Sequence, residues 1–401
     1  MVKKVFTISF ICLMVAFTIV IVTNKNIANE IFIFIEDSYD KLIGNSIEDF
    51  NPEDIKINKL QVKKSTFYYN TLTDDQKKIY ASISNAVKNI KNKAKVMDYN
   101  YIDDSTTMND TKIAIQNFFL DHPEVFYVKN EYTVSTIDLL NSKRIEVELN
   151  YNIENEIELN AQINNINDVL DQIISNTKNM NEFDKELYIH DQICGMSTYY
   201  KYNNINDVPE ECHSIYGCLI SKKAVCDGLS KAFMLALNKA GIESIIVTGN
   251  LQNQAHAWNM VKLDDEWYHV DITSNKSIKS YGSEKIIHSY FNITDTQIKT
   301  TNSIDMEGKL PIANSTKYNY YIQTDKFIKS SDNFSTKFSK ILDENENKEL
   351  IEFAVDKNVR SVPDKMVNTF QDYKYKKYVN YNDNKFNYYN VLNTYILLTN
   401  N

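Results

Sequence analysis

Apolar residues recur at helical spacing in some stretches of the chain and alternate with polar residues in others. Within residues 74–90, isoleucine and valine return every three to four positions, which is typical of an amphipathic helix. Residues 144–149 alternate apolar and charged side chains, which is typical of a strand. The same criteria predict further elements: helices at 110–120, 160–175 and 184–196, and a short strand at 125–128.

A longer helical pattern begins at Cys226. One apolar stripe runs along it, made of Leu229, Phe233, Ala236, Leu237 and Ala240, and Gly241 follows as a C-terminal stop. Cys226 is therefore predicted at the N-terminus of a buried helix, where unpaired N–H groups and a partial positive charge favour a thiolate. Asp227 works slightly against this effect, so a basic partner for Cys226 is still required. Gly228 leaves room for another group to approach.

Three strand patterns follow this helix. Residues 242–248 and 256–262 are predicted as strands joined by a loop at 249–255, and residues 267–273 as a third strand. Asp264 and Asp265 form a plausible two-residue turn between the second and third strands. These residues therefore predict an antiparallel hairpin next to the helix of Cys226.

The register of this hairpin brings a histidine and an aspartate together. With a turn at 264–265, His256 is the diagonal neighbour of Asp271 on one face, about 7–8 Å away at Cα, so the imidazole can reach the carboxylate. In such a set the histidine takes the proton of the Cys226 thiol and the carboxylate fixes the histidine tautomer. His269 lies on the same face, and the register alone does not exclude it as the base.

Three other histidines are predicted to be structural. His122 precedes Pro123 at the end of the helix predicted at 110–120, and a residue before proline avoids helical backbone. His190 and His288 lie within patterned segments. We therefore place none of the three in the candidate site.

The N-terminus predicts a membrane segment. Lys3 and Lys4 precede an uncharged stretch at 5–23, close to the roughly 20 residues that span a bilayer. A cleaved signal has a shorter apolar region, about 7–15 residues, followed by small residues at the cleavage site, and residues 19–23 offer no such site. A single uncleaved span in the cell membrane is therefore favoured over a cleaved signal and a secreted protein. The two lysines place the rest of the chain outside the cytoplasm.

The remaining segments complete a five-part organisation. Beyond Pro311 the chain becomes polar and rich in tyrosine, with a strand predicted at 350–355, a helix at 364–375 and a closing strand at 390–398. The predicted parts are a membrane anchor or signal at 1–25, a stalk at 26–64, an N-terminal α/β region at 65–175, a core with the candidate triad at 176–305 and a β-rich C-terminal region at 306–401.

Composition and charge narrow the classes of protein. Hydrophobic residues make up 43% of the 401 residues and aromatic residues 12%, which is enough for a packed core. The net charge of −9 argues against nucleic acid as a partner.

The cysteines allow several arrangements besides a nucleophile. A zinc site of Cys212, His213, Cys218 and Cys226 would lack the C-x2-C knuckle of common zinc sites, so no metal and no cofactor are predicted. A disulfide between Cys212 and Cys218, or between Cys194 and Cys218, is permitted outside the cell. Neither pairing is indicated by the spacing.

Three motifs resemble those of the transglutaminase-like superfamily, in the order Cys, His, Asp. They are Val225-Cys226-Asp227-Gly228, His256-Ala257-Trp258-Asn259 and Trp267-Tyr268-His269-Val270-Asp271. Residues 216–219 resemble the segment that leads into the nucleophile, and residues 290–295 resemble the strand that closes the core. Residues 118–127 resemble a segment in the N-terminal halves of bacterial surface proteins that carry this domain. The resemblance covers about 180–300 strongly and 65–150 weakly.

The resemblance implies a fold and a chemistry. The expected fold is a papain-like α+β core, with the nucleophile on a helix N-terminus packed on an antiparallel sheet. The implied triad is Cys226, His256 and Asp271, which favours His256 over His269. The implied function is thiol-dependent acyl transfer or hydrolysis on protein or peptide substrates, as in crosslinkers, deamidases and peptidases. After Thr273 the family often continues with tryptophan and acidic residues, whereas this chain has 274–277 as Ser-Asn-Lys-Ser, which would reshape the substrate groove.

Two further points stay open in the sequence. By analogy with thiol enzymes, the Cys226 backbone N–H would contribute to an oxyanion hole, and Tyr199, Tyr200 or Tyr216 would be a side-chain donor. Alternatives to an enzyme are a catalytically silent surface binding or adhesion module with the same fold, and a structural component of a cell wall or spore.

Overall fold

The computed structural model describes most of the chain beyond its N-terminus. The described residues are 26, 29–30, 60, 65–99, 104–139, 143–153, 155–276, 278–280, 283–378 and 386–398. The chain divides into two compact units, an N-terminal unit at 1–167 and a C-terminal unit at 168–401. The predicted membrane segment at 1–25 and most of the predicted stalk lie outside the described residues. Among the helices that are described, none is both long and apolar enough to cross a bilayer.

The N-terminal unit combines helices with a three-stranded antiparallel sheet of order β1-β3-β2. Its elements are α1 (Phe67–Asn70), α2 (Asp74–Lys88), β1 (Lys93–Tyr99), α3 (Asp104–Asp121), β2 (Val128–Asp138) and β3 (Lys143–Tyr151). Helix α2 begins at a capping box in which Thr73 and Gln76 each bond the backbone N–H of the other. The helix predicted at 74–90 is therefore confirmed, with its last turn shortened.

The segment around His122 turns instead of extending, so the strand predicted at 125–128 is wrong except at Val128, where β2 begins. The Val125 N–H donates to the His122 carbonyl oxygen at 3.0 Å and closes a tight turn. The His122 Nδ1 lies 2.8 Å from a Glu124 oxygen, and its Nε2 lies 2.9 Å from the Tyr80 hydroxyl. His122 thus joins the end of α3 to α2 inside the core.

The C-terminal unit contains the helix of Cys226 and two four-stranded sheets, of order β11-β6-β7-β8 and β12-β13-β15-β14. Its helices are α4 (Glu156–Ser175, which begins in the N-terminal unit), α5 (Glu182–Met196), α6 (Cys226–Lys239), α7 (Ile272–Asn275), α8 (Asp295–Ile298), α9 (Tyr320–Gln323), α10 (Phe334–Glu344) and α11 (Val362–Phe370). Its strands are β4 (Thr198–Tyr199), β5 (Lys223–Ala224), β6 (Ser244–Leu251), β7 (Gln254–Leu263), β8 (Glu266–Val270), β9 (Ile278–Ser280), β10 (Ser283–Lys285), β11 (Asn302–Ile304), β12 (Phe327–Ile328), β13 (Leu350–Val355), β14 (Asn387–Val391) and β15 (Thr394–Leu398).

Helix α6 packs its apolar side against the sheet of order β11-β6-β7-β8. The apolar stripe predicted from the sequence is buried from Leu229 to Leu237, and the helix packs on β6 and β7. Gly241 ends the segment with φ +87°, a left-handed conformation that glycine adopts at no steric cost. The α+β fold expected from the sequence is confirmed.

The hairpin that holds the candidate base has the predicted register. Leu263 pairs with Glu266, and Asn259 pairs with Val270. Asp264 and Asp265 have φ of 47° and 64°, the left-handed backbone of a two-residue hairpin turn. The predicted third strand is shorter than expected, because β8 ends at Val270 and α7 follows.

The loop predicted at 249–255 is wrong, because β6 and β7 continue through most of it. Only Gln252 and Asn253 form the turn, with φ of 50° and 65°, so this connection is also a two-residue hairpin. Gly249 lies inside β6, where an added Cβ would come within 1.9 Å of the Ser303 carbonyl oxygen. Glycine here lets β11 approach and pair with β6.

The second sheet packs with α10 and α11 around an apolar cluster. Phe334, Phe338, Phe353 and Met366 are fully buried in it. The strand predicted at 350–355 is confirmed as β13. The single closing strand predicted at 390–398 is wrong: Leu392 and Asn393 adopt left-handed φ of 51° and 60° and fold the segment into the β14–β15 hairpin.

Candidate active site

Cys226 is the first residue of α6, after the extended N-cap residue Val225. Among the four cysteines that the structure describes, Cys226 is half-buried, whereas Cys194, Cys212 and Cys218 are buried. As the first helical residue it has no intrahelical acceptor for its backbone N–H, and its thiol lies in the positive field of the helix N-terminus. Cys226 is thus a partly exposed cysteine at the N-terminus of a buried helix.

His256 and Asp271 contact each other beneath the surface. The His256 Nε2 lies 2.8 Å from Asp271 Oδ2, and both side chains are nearly inaccessible to solvent. Asp271 follows β8 as the N-cap of α7, and its carboxylate also accepts from the backbone N–H and the hydroxyl of Ser274, at 2.9 and 2.7 Å. Burial opposes ionisation, but His256 and Ser274 hold the pKa of Asp271 below its usual value. The carboxylate is therefore charged and fixed in direction.

His256 connects this carboxylate to the thiol. With Nε2 engaged by Asp271, Nδ1 is the nitrogen that remains for the hydrogen bond with the Cys226 side chain. Burial alone would lower the pKa of His256, but the charge and hydrogen bond of Asp271, with a smaller effect of Cys226, raise it to about 10. At neutral pH the ring is therefore an imidazolium that is hydrogen bonded with the Cys226 side chain.

His269 lies on the same face but has a different environment. Its Nδ1 accepts from the Trp258 Nε1 at 3.0 Å, and its Nε2 lies 2.9 Å from an oxygen of Asp295. The Trp258 ring in turn stacks on His256 with centroids 5.9 Å apart. Both nitrogens of His269 are thus occupied, and the residue holds Trp258 against His256.

Among the three tyrosines considered as donors, Tyr199 is close enough to Cys226 for an electrostatic interaction. It also hydrogen bonds with Tyr202. Burial strongly raises the pKa of Tyr199, so its hydroxyl keeps its proton. The backbone N–H of Tyr200 donates to Ala224, and Tyr216 precedes the helical turn at Gly217–Ser221.

The other described cysteines and His213 each have a separate environment. Burial raises the pKa of Cys218 to about 12 and raises that of Cys194 well above its usual value, so both remain thiols. All four described cysteines are free. His213 faces Asp227, with Nδ1 3.0 and 3.1 Å from the two carboxylate oxygens.

A second histidine cluster was missed by sequence reasoning. The ligand atoms of His190, Asp191 and His288 lie within 4.8 Å of one another, close enough to hold a metal ion. The His190 Nδ1 and the His288 Nε2 lie 2.9 and 3.0 Å from the same oxygen of Asp191. On the far side of His288, Nδ1 lies 2.6 Å from the buried Glu352.

The proton positions in this cluster favour a hydrogen-bond chain over a metal site. Asn275 Oδ1 accepts from the Tyr290 backbone N–H at 2.9 Å, so its Nδ2 must donate to His190 Nε2, 3.0 Å away. His190 therefore carries its proton on Nδ1 and donates it to Asp191, whereas a metal on Nδ1 would require that proton to leave. The chain of contacts runs from Glu352 on β13 to Asn275, four residues after Asp271.

Comparison with known proteins identifies a family for part of the C-terminal unit. Residues 168–272 match the family model described as the transglutaminase-like superfamily, and this range contains Cys226, His256 and Asp271. The chain therefore carries a transglutaminase-like domain. Members of this superfamily include cysteine peptidases and acyltransferases.

Several solved structures are similar to part of the chain, with low TM-scores. A structure described as a TGase is 20% identical, with a TM-score of 0.27 over 37% of this chain and 46% of that chain. The periplasmic domain of TgpA from Pseudomonas aeruginosa is 12% identical, with a TM-score of 0.22 over 36% of this chain and 63% of that chain. The chain thus spans less than two thirds of either protein. A search of curated proteins gives no match.

Proposed function

We propose that this chain is a thiol-dependent enzyme that transfers or hydrolyses acyl groups of protein or peptide substrates at the cell surface. The observation that carries the proposal is the position of His256, hydrogen bonded to Asp271 on one side and to Cys226 on the other. A silent binding module would not need a buried His256–Asp271 ion pair whose second histidine nitrogen is hydrogen bonded with a half-exposed thiol. The location outside the cell rests on the lysines and the apolar stretch at 5–23.

The chemistry follows from the order of these groups. The Cys226 thiolate attacks the carbonyl carbon of an amide, and the carbonyl oxygen becomes an oxyanion that the Cys226 backbone N–H and the Tyr199 hydroxyl can stabilise. When the tetrahedral intermediate collapses, His256 gives its proton to the departing amine and a thioester remains on Cys226.

The second half of the reaction resolves the thioester. Water or an amine attacks the acyl carbon while neutral His256 accepts the proton of the nucleophile. The thiolate leaves, and the imidazolium is restored beside it. Attack by water gives hydrolysis or deamidation, and attack by an amine gives a new amide bond. Asp271 remains ionised throughout and holds the His256 ring in one tautomer.

The proposal is tested by alkylation of Cys226 with iodoacetamide in the full chain. Peptide mass spectrometry identifies the modified cysteine, and the rate is measured between pH 5 and pH 9. We expect Cys226 to react rapidly already near pH 6, because the imidazolium of His256 favours the thiolate. In His256→Ala, the rate at pH 6 should fall at least about tenfold, which corresponds to one unit of thiol titration.

Two comparisons decide the outcome. His122→Ala removes a buried histidine of the N-terminal unit and should leave the alkylation of Cys226 unchanged. If the parent reacts no faster than a free thiol, with a pKa of about 8.5, and His256→Ala changes nothing, the enzyme is rejected in favour of the silent binding module.

A further inference from the structure

Asp227 directly follows the proposed nucleophile in the first turn of α6, and its carboxylate is charged. A carboxylate next to Cys226 disfavours a second negative charge on the thiol. The structure surrounds this carboxylate with donors: the Gly228 backbone N–H at 3.0 Å, the His213 Nδ1 at 3.0 and 3.1 Å and the Lys231 Nζ at 3.5 Å. The charge of Asp227 is thus opposed from two sides.

We propose that His213 is a positioning residue of the active site, which offsets the charge of Asp227 and so favours the thiolate of Cys226. This inference rests on the proposed function, in which Cys226 is the nucleophile. His213 acts through Asp227, because its ring contacts the Asp227 carboxylate. Two positively charged histidines would then favour the thiolate. His256 would act directly, and His213 would act through the carboxylate of Asp227.

The fold fixes His213 in place against the first turn of α6. The Cys212 carbonyl oxygen accepts from the Val225 backbone N–H at 3.0 Å. The same oxygen would lie 2.4 Å from a Cβ added at Gly228, so glycine at this position lets the turn of His213 approach the helix. The Lys231 Nζ then donates to the His213 carbonyl oxygen at 2.7 Å. The group that the sequence predicted would approach Gly228 is therefore this turn.

The positive charge on His213 is lost as the pH rises through the pKa of its ring. Burial lowers the pKa of His213, but the hydrogen bond and charge of Asp227 outweigh it and raise the pKa above its usual value; Lys231 opposes the rise and Glu210 adds to it. Tyr199 and Cys212 also interact electrostatically with Asp227. Burial raises the pKa of both groups, so both stay protonated and uncharged at neutral pH. Below the pKa of His213 the pair with Asp227 is neutral. Above it, the carboxylate keeps Lys231 and the Gly228 N–H as partners but loses the positive charge of His213.

The test compares four forms of the full chain by alkylation of Cys226 at pH 6 and pH 9. They are the parent, His213→Gln, Asp227→Asn and the double variant. Glutamine keeps a donor for Asp227 but carries no charge. We expect His213→Gln to slow alkylation about 3- to 10-fold at pH 6 and little at pH 9. Asp227→Asn should react at least as fast as the parent, and the double variant should recover the parent rate at pH 6.

Two outcomes overturn this role. If His213→Gln is slow at both pH values and Asp227→Asn does not restore it, His213 only holds the turn in place. If His213→Gln matches the parent at pH 6, the charge of Asp227 does not act on the thiol. His213→Arg, which keeps a positive charge at both pH values, should retain the parent rate at pH 6 and guards against a folding effect of glutamine.

Failure of the proposed function would look different. It appears in the parent itself, as slow alkylation that His256→Ala does not change, and it would remove the role of His213 as well. If the parent is alkylated rapidly and His213→Gln reacts at the same rate, only the role of His213 is excluded, and the proposed function stands.

Discussion

Asp271→Asn is expected to lower the rate of acylation of Cys226 by about 10³–10⁴-fold. An amide at this position would donate to His256 Nε2, where the carboxylate now accepts. The ring proton would then sit on Nδ1, the nitrogen that must receive the proton of the thiol. Asparagine keeps the oxygen that accepts from the Ser274 backbone N–H, so α7 should remain capped. The measurement is the burst of nitrophenol released from p-nitrophenyl acetate.

A matched control comes from the neighbouring histidine. Asp295→Asn changes a carboxylate that also contacts a buried histidine, at 2.9 Å from His269 Nε2, but the other ring nitrogen of this histidine is hydrogen bonded with Trp258. Its acylation rate should stay close to that of the parent. Equal loss in both variants, or none in Asp271→Asn, would show that the tautomer of His256 does not control the thiol.

Glu352→Ala is expected to destabilise the C-terminal unit by about 3 kcal/mol. Glu352 is buried and accepts from the His288 backbone N–H, the His288 ring and the Tyr321 hydroxyl, at 3.0, 2.6 and 2.9 Å. Burial lowers the pKa of His288, but Glu352 and Asp191 outweigh this and raise it to about 9, so the ring is charged at neutral pH. Alanine would leave a buried cation with Asp191 as its one remaining carboxylate partner among the described residues. The urea midpoint should fall by roughly 1–2 M, measured by circular dichroism.

Asp325→Asn is the control for burial, because asparagine removes the charge but tolerates the left-handed φ of 57° at this position. Asp325 also contacts two cationic groups, Lys337 and Lys340, but its side chain is 62% exposed. Exposed ion pairs contribute about 1 kcal/mol or less, so the urea midpoint should move little. A similar shift of the urea midpoint in both variants would show that burial does not increase the contribution of the Glu352–His288 pair to stability.

The parts of the site that were predictable depend on local rules. The apolar stripe after Cys226 placed the thiol at a helix N-terminus, and the turn at 264–265 set the register that joins His256 to Asp271. Each inference used residues within about one helix or one hairpin, where periodicity and turn chemistry are strong. The roles of Cys226, His256 and Asp271 in catalysis remain predictions, as do the five segment boundaries.

The parts that were missed depend on contacts between distant residues. Glu352 meets His288 across 64 positions of sequence, and His288 meets Asp191 across 97. No periodicity within one segment encodes such pairs. The loop predicted at 249–255 and the single strand predicted at 390–398 were wrong for a different reason. Their turn residues take left-handed backbone without glycine, namely Gln252, Asn253, Leu392 and Asn393, so the sequence lacked the usual sign of a tight turn.

The stack of Trp258 on His256 gives the molecule an internal optical reporter. The chain has two tryptophans, and Trp258 is fully buried, with its indole N–H fixed on His269. A protonated imidazole in contact with an excited indole quenches its emission, whereas a neutral ring does so weakly. The fluorescence of Trp258 should therefore follow the charge on His256, and also any acyl group that displaces the ring, without a label or a known substrate.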